Sequence, residues 1–496
     1  MKVLLLDPPF YRLMGYYNRY FPVGLGYLCS FLRKTGHECS IYNADFSNDS
    51  TRINYSFLPD YYDLYLSNLK DENHPVFKEI INSIEDYKPD IIGITVMTPK
   101  VASAFKIAGI IKKYNPEIKV VFGGNHPTVK SEEVMINSTN VDAIIIGEGE
   151  KSFSKLIDSF SENRVPENID GVSYRNKGFP AFGKPSQLIE NLDILPFPTR
   201  EFLDNDSYTS EDLGIILTSR GCPYGCYYCS AKSIWGKKIR FRTIGNVMEE
   251  LDLIIGKYGI KHLTIKDDIF TIDRVRLKNF CNELLSRKMK LTWECNSRAD
   301  LLDKDSLKLM HKSGCNGIKI GVEAGDDNTL RKLRKNITIQ KLRDAGRILK
   351  KSKIHWTGYF MMGIPTQTKE EVKLIPKFMK QIKPDFASLS VYEAYPGTEL
   401  FELGLKTKIL KNEMTLADFF STPPNQYYLK EREGFSDVID KICFRELEVE
   451  IKNDFHKYNR SLYRIFKRIL SRKALYLNDI RIIVKDIRRF IAWYKS

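Results

Sequence analysis

Three cysteines crowd together in the run Ser219-Arg220-Gly221-Cys222-Pro223-Tyr224-Gly225-Cys226-Tyr227-Tyr228-Cys229, with three residues in the first gap and two in the second. Thiolates at that spacing can converge on one inorganic centre from a single loop, and soft sulfur ligands suit iron–sulfur chemistry. Three of them fill three corners of a cubane 4Fe-4S cluster and leave the fourth iron open to a small chelating molecule. A structural zinc site with its fourth ligand elsewhere is the alternative, although no second Cys or His pair stands nearby at zinc-knuckle spacing. The chain has nine cysteines in all, the others scattered. In a reducing compartment one such cluster reads as metal-binding or catalytic before it reads as a disulfide framework.

Such a loop needs a scaffold. Residues 214–218, 263–266, 292–296, 317–322, 357–362 and 387–392 are short apolar runs separated by helical patterns, which predicts a partial (β/α)6 barrel. Polar or glycine-bearing motifs then fall at successive strand ends. They are Lys266-Asp267-Asp268, Asn296-Ser297-Arg298, Gly321-Val322-Glu323-Ala324-Gly325, Met362-Gly363-Ile364-Pro365 and Tyr395-Pro396-Gly397-Thr398. All would share the C-terminal face of the barrel, where strand ends converge on a reaction site. Taken singly, Asp267 and Asp268 could cap a helix, and Arg298 could pair with an acidic neighbour.

Ahead of the barrel, runs at 3–6, 39–42, 91–96, 120–122 and 143–146 alternate with helical stretches at 24–34 and 101–113. That rhythm predicts an α/β, doubly wound, Rossmann-like parallel sheet covered on both faces. Residues 46–75 break it as an insertion. The proline-bearing stretch 162–200 reads as a connector with a small hairpin, and the last ninety or so residues read as helical. The expected division is 1–155 for the sheet domain, 156–205 for a linker, 206–405 for the barrel and 406–496 for a basic helical segment.

The cysteine loop, with the aromatic Tyr228 before its third Cys, resembles the CxxxCxxC signature of the radical S-adenosylmethionine (radical SAM) superfamily. The strand-end motifs resemble that family in the same order. The resemblance implies a 4Fe-4S cluster on Cys222, Cys226 and Cys229 that cleaves S-adenosylmethionine to a 5′-deoxyadenosyl radical. It also implies contacts to S-adenosylmethionine from Tyr228, Asp267, Arg298 (its carboxylate), Glu323 (its ribose) and Gly363 (its adenine). Tyr395-Pro396-Gly397-Thr398 matches the sixth-strand ending of the cobalamin-binding branch.

The first sheet is similar to the B12-binding (cobalamin-binding) domain that precedes many radical SAM domains. Its strand ends would then offer Pro9, Thr95, Thr98, Gly123, Gly124, Gly147 and Glu148 to cobalamin. The loop after the first strand reads Asp7-Pro8-Pro9-Phe10-Tyr11, without the histidine that ligates cobalt in other corrin domains. A degenerate domain that has lost cobalamin would look the same. His126 could face a corrin or could be a hydrogen-bonded loop histidine.

The family resemblance implies cobalamin-dependent methyl transfer to an unactivated carbon, with electrons from a flavodoxin- or ferredoxin-type donor. Alternatives are a non-methylating radical reaction, such as the oxidative ring closure of a porphyrin monomethyl ester, and a non-catalytic cobalamin or redox sensor. Methylthiolation fits less well, because Cys29 and Cys39 lack cluster spacing. The substrate class is a small molecule or a lipid-like compound. The formal charge of +15 could suggest nucleic acid, but the excess sits near the C-terminus and no nucleic-acid motif accompanies it. From Lys457 to Lys495 twelve Lys or Arg face only Asp479 and Asp486, a balance of +10. Phe455, Tyr458, Leu462, Phe466 and Ile469 form an apolar stripe there. It reads either as a helical cap on the barrel or as a peripheral contact with an anionic membrane. No run of eighteen apolar residues or signal-peptide core appears, so the expected location is the cytoplasm.

Overall fold

The computed structural model describes residues 1–16, 21–46, 55–203, 208–430, 438–473, 476, 482–484 and 486–487. Seven strands form the first sheet: β1 (Lys2–Asp7), β2 (Glu38–Asn43), β3 (Ile91–Thr95), β4 (Lys119–Gly123), β5 (Ala143–Ile145), β6 (Val172–Asn176) and β7 (Phe179–Ala181). Their order is β2-β1-β3-β4-β5-β6-β7, and the first five run parallel. In β1, Val3 and Leu5 pack under helices Val23–Lys34 and Gly149–Ser161, while Leu4 and Leu6 pack under Pro75–Tyr87 and Val101–Tyr114. Burial on both faces is why this strand is continuously apolar rather than alternating. The hairpin expected in the connector is present, but it is not free-standing. β6 pairs antiparallel with β5 and extends the first sheet.

The second unit begins with β8 (Ile215–Ile216). The pair β9 (Ser219–Arg220) and β10 (Arg240–Phe241) follows and clasps the base of the cysteine loop in antiparallel register. Then come β11 (His262–Ile265), β12 (Thr292–Ser297), β13 (Cys315–Glu323), β14 (His355–Met362) and β15 (Phe386–Val391). The six-stranded sheet β15-β14-β13-β12-β11-β8 is parallel throughout and open between β15 and β8. Residues alternate between its faces. Trp293, Cys295, Ile318 and Ile320 join the apolar layer under the helices. Glu294 and Lys319 take the other face, pair at 2.5 Å and make the barrel lumen polar.

Helix Lys441–Asn459 covers the open edge. Asn459 accepts from the Ala387 amide at 3.0 Å and donates to its carbonyl at 2.7 Å, much as a neighbouring strand would. Before that helix, the chain returns to the first domain, where Tyr428 donates to Glu133 at 2.5 Å and the Met414 amide does so at 2.9 Å. No helix among the described residues is long and apolar enough to cross a membrane.

Candidate functional site

The cysteine loop is held from every side. Gly221 turns it at φ +100°, and a Cβ there would lie 2.3 Å from the Lys238 carbonyl, so no larger residue fits. Asp267 was expected to face S-adenosylmethionine. Instead it is buried behind the loop and accepts from the Thr218 amide at 2.6 Å, the Thr218 hydroxyl at 2.5 Å and the Ser219 hydroxyl at 2.7 Å. A carboxylate with three local donors is a positioning group. Its neighbour Asp268 is the one that is exposed and within electrostatic reach of Cys222 and Cys229. Arg298 lies 3.7 Å over the ring of Tyr224 and is forked onto Asp300 at 3.0 and 3.2 Å, so it braces the loop while already paired.

Cys226 and Cys229 line an open cleft of about 170 Å³ with Lys232, Ser233, Gly397, Thr398, Glu399 and Glu402. Among the described residues, no three His, Cys, Asp or Glu side chains are drawn together as tightly as ligands of a single ion. A cubane spreads its thiolates over separate iron corners, and three thiols on one loop fit that donor set. Burial first, then Asp268 and the other two thiols, pushes the Cys229 thiol up to about 11. Burial also raises Cys222. A thiol raised in this way, as Cys222 and Cys229 are, stays protonated until a cation neutralises it, which is how metal binding and deprotonation are linked.

Beside the loop, Lys335 donates to Glu323 at 2.9 Å and to the Tyr228 hydroxyl at 3.0 Å, and Tyr228 donates to the same carboxylate oxygen of Glu323 at 2.9 Å. Glu323 stands in the left-handed region at φ +67°, where the β13–β14 register slips. The bulge swings its carboxylate back over Gly321, where a Cβ would come within 2.1 Å of it. Tyr228 and Glu323 are therefore brought together, by a lysine that the motifs did not single out. Gly363 is buried at φ +77°, a Cβ there would meet Phe444 of helix Lys441–Asn459 at 2.8 Å, and its amide donates to Gln367 Oε1 at 2.9 Å.

The cobalamin candidates divide in the same way. Gly147 and Glu148 lie against protein groups. The Cα face of Gly147 is covered by Ser186, whose Oγ would lie 2.6 Å from a Cβ. Glu148 is buried between Arg220 (3.0 Å) and Arg240 (2.8 Å) and also accepts from the Ile189 amide at 2.6 Å. Burial would raise its carboxyl, but the two guanidiniums hold it below its ordinary range. With Glu150, which binds Arg220 at 2.6 Å, it latches the first domain to the base of the cysteine loop. Pro9 is buried, and the Phe10 amide beside it donates to Asp45 at 2.7 Å. Lys100 joins Asp7 at 2.6 Å and Asp45 at 3.2 Å, so an ion triad fills the region of the missing histidine. Thr98 is buried against His126 Nδ1 at 3.2 Å, and that histidine is a fully buried, hydrogen-bonded one.

Thr95, Gly123 and Gly124 remain as a partly open strand-end face beside the exposed Met97. At φ +100°, Gly124 presses its backbone against Thr95 and Val96, leaving a shelf without side chains that suits a flat ligand. Val129, just beyond it, packs on Gly397 at the Cys226 cleft, so the strand-end faces of the two domains look toward each other.

Residues 216–379 match the family model of the Radical SAM superfamily, and residues 15–157 match that of the B12 binding domain. The chain is 32% identical over 416 residues to an uncharacterized methyltransferase of Pyrococcus horikoshii, covering 83% of this chain and 84% of that one. It is 29% identical over 346 residues to the anaerobic magnesium-protoporphyrin IX monomethyl ester cyclase of Rubrivivax gelatinosus, covering 68% of this chain and 62% of the cyclase. In fold it is similar to the cobalamin-dependent S-adenosylmethionine radical enzyme OxsB, solved with aqua-cobalamin and S-adenosylmethionine bound. The TM-score is 0.67 at 18% identity, over 99% of this chain and 75% of that one.

Proposed function

Because the chain belongs to the radical SAM superfamily, in the branch that carries a B12-binding domain, we propose that it methylates an unactivated carbon of a small-molecule or lipid-like substrate. The observation that carries this reading is the apposition of the Gly123–Gly124 shelf and the Cys226–Cys229 cleft across the Val129–Gly397 contact. When bound, a 4Fe-4S cluster on Cys222, Cys226 and Cys229, S-adenosylmethionine and cobalamin supply the electron transfer, the hydrogen-abstracting radical and the methyl group.

The chain's own residues hold and shield that chemistry. Tyr224 on Arg298, and Asp267 on Thr218 and Ser219, keep the thiols in one place. Lys335 holds the Glu323 Oε1 and Tyr228 hydroxyl side by side, which leaves Glu323 Oε2 as the oxygen that would take a ribose hydroxyl. Tyr227 and Tyr228 pack against an apolar cluster that runs across both domains, which anchors this side of the loop. Reducing equivalents would come from a flavodoxin- or ferredoxin-type donor.

Oxidative cyclisation is the second reading, favoured by the 29% identity to the Rubrivivax cyclase. Anaerobic reconstitution with iron, sulfide and cobalamin, followed by reduction with S-adenosylmethionine, separates the cases. Methyl transfer is expected to give both 5′-deoxyadenosine and S-adenosylhomocysteine, and neither in Cys226→Ala. 5′-Deoxyadenosine alone would move the assignment to cyclisation. Neither product from protein fully loaded with cluster and cobalamin, in the presence of its candidate substrates, would overturn the enzymatic reading in favour of a sensor.

A further inference from the structure

Helix Leu462–Ser471 is amphipathic, yet its polar side faces the protein. Lys467 pairs with Asp385, Arg468 lies 4.7 Å over Phe386, and Arg464 lies 3.5 Å over Tyr458. Just past its end, Arg472 binds Glu211 at 2.8 Å. The apolar residues recur at helical spacing on the opposite side, where Leu462 is 83% exposed, Tyr463 70%, Phe466 63% and Leu470 52%.

The cause lies under the helix. Asp385 and Phe386 are at the start of β15, and Glu211 lies just ahead of β8, so the helix bridges the feet of the two edge strands of the open barrel. The lumen at that foot is polar. His355 feels Arg468 and Lys467, and His262 feels Glu294, Glu211 and Arg472. A polar plug is what such an opening can accept, because apolar side chains would leave buried charge unsatisfied. Closing the foot with the cations forces the apolar stripe outward.

An exposed apolar face of this size marks a contact surface. We infer that it docks on an anionic lipid surface, with the foot of the barrel against the bilayer. Charge complementarity selects that occupant. The stretch from Lys457 to Lys495 carries +10, or +8 once Lys467 on Asp385 and Arg472 on Glu211 are taken as neutralised, so pairing two copies through this face would bring like charge together, whereas an anionic surface neutralises it. Val484 and Ile487, in the same basic stretch, are also exposed.

The position of the helix sets an orientation. The cysteine loop lies at the other end of the strands, and the nine residues of β13 span about 30 Å at roughly 3.3 Å per residue. The barrel mouth therefore faces away from the bilayer, and substrate enters from the aqueous side. A lipid-like substrate would have to arrive on a carrier or outside the plane of the membrane. This inference stands on the helix and not on the reaction, so it can fail while the proposed chemistry holds.

The test is co-sedimentation of full-length protein with vesicles of phosphatidylglycerol and phosphatidylcholine, against phosphatidylcholine alone. The protein should pellet with the anionic vesicles only, less so as salt rises. The L462D/F466D variant should bind roughly a hundredfold more weakly, with unchanged thermal unfolding because both positions are exposed. Hydrogen exchange on wild-type protein should slow at 462–471 when vesicles are added and stay unchanged at 222–236. Failure to pellet, or equal pelleting of the variant, would overturn the docking. So would a dimer in sedimentation velocity that L462D/F466D dissolves. Protection at 222–236 would overturn the orientation.

Discussion

Glu148→Gln is the sharpest perturbation of the latch between the domains. The Glu148 and Arg240 side chains are each 1% exposed, and Glu148 is the only carboxylate paired with Arg240 among the described residues. Nε and Nη2 of Arg240 have no acceptor there. Removing one partner of such a pair leaves a buried charge uncompensated, a loss of about 3–5 kcal/mol. Glu190→Gln, in the exposed Lys238–Glu190 pair, serves as the control and should change little. The double variant E148Q/R240M removes both buried charges and should recover most of the loss. The assay is urea unfolding followed by tryptophan fluorescence, since Trp235 lies 5.4 Å from the Arg220 guanidinium. Because the folded carboxyl lies below its ordinary 4.5, its stabilisation is full above that value and is lost as pH falls through the lower folded one. If E148Q loses no more than E190Q, or if the double variant is as weak as E148Q, the latch argument is refuted.

Gly321→Ala would put a Cβ 2.1 Å from Glu323 Oε1 and 2.7 Å from Lys335 Nζ. Calorimetry should then show S-adenosylmethionine binding weaker by roughly tenfold or more, at unchanged iron content. Gly363→Ala combines a φ of +77° with a clash at Phe444. It should lose about 1–3 kcal/mol and expose helix Lys441–Asn459 to protease. Burial depresses His126 to about 3 and His355 to about 4, from an ordinary 6.5. The unfolded chain therefore takes up protons that the folded chain refuses, and stability should fall as pH drops below about 6.5. His126→Gln should flatten that slope by about 1.4 kcal/mol per pH unit between roughly pH 6 and 4, read by denaturant titration at each pH.

Local signals were legible in the sequence. The apolar runs of both sheets announce themselves because a parallel strand buried on both faces cannot carry polar residues, and Leu4, Leu5 and Leu6 have no other role. The cysteine loop is equally plain, since its three thiols lie within eight residues of one another. Partners far apart in the chain were not legible. Glu148 reads as a strand-end ligand until Arg220 and Arg240 are seen beside it, 72 and 92 residues away. Lys335 sits in a charged run on a helix-side turn, and nothing local marks it as the residue that will hold Tyr228 from 107 positions off. The stripe through Leu462, Phe466 and Ile469 is clear as a period, but a period cannot say which face turns inward.

The sequence by itself therefore determined the order of the two domains, the clustering of three cysteines on one loop and the chemistry such thiols can support, because each follows from short-range spacing and side-chain type. Only the tertiary structure decided that Glu148 is a latch, that Asp267 braces the loop from behind, that Gly363 meets Phe444 and that helix Leu462–Ser471 shows its apolar face to solvent. Those outcomes depend on which buried charge each group must neutralise, and that is set by the packing of distant strands.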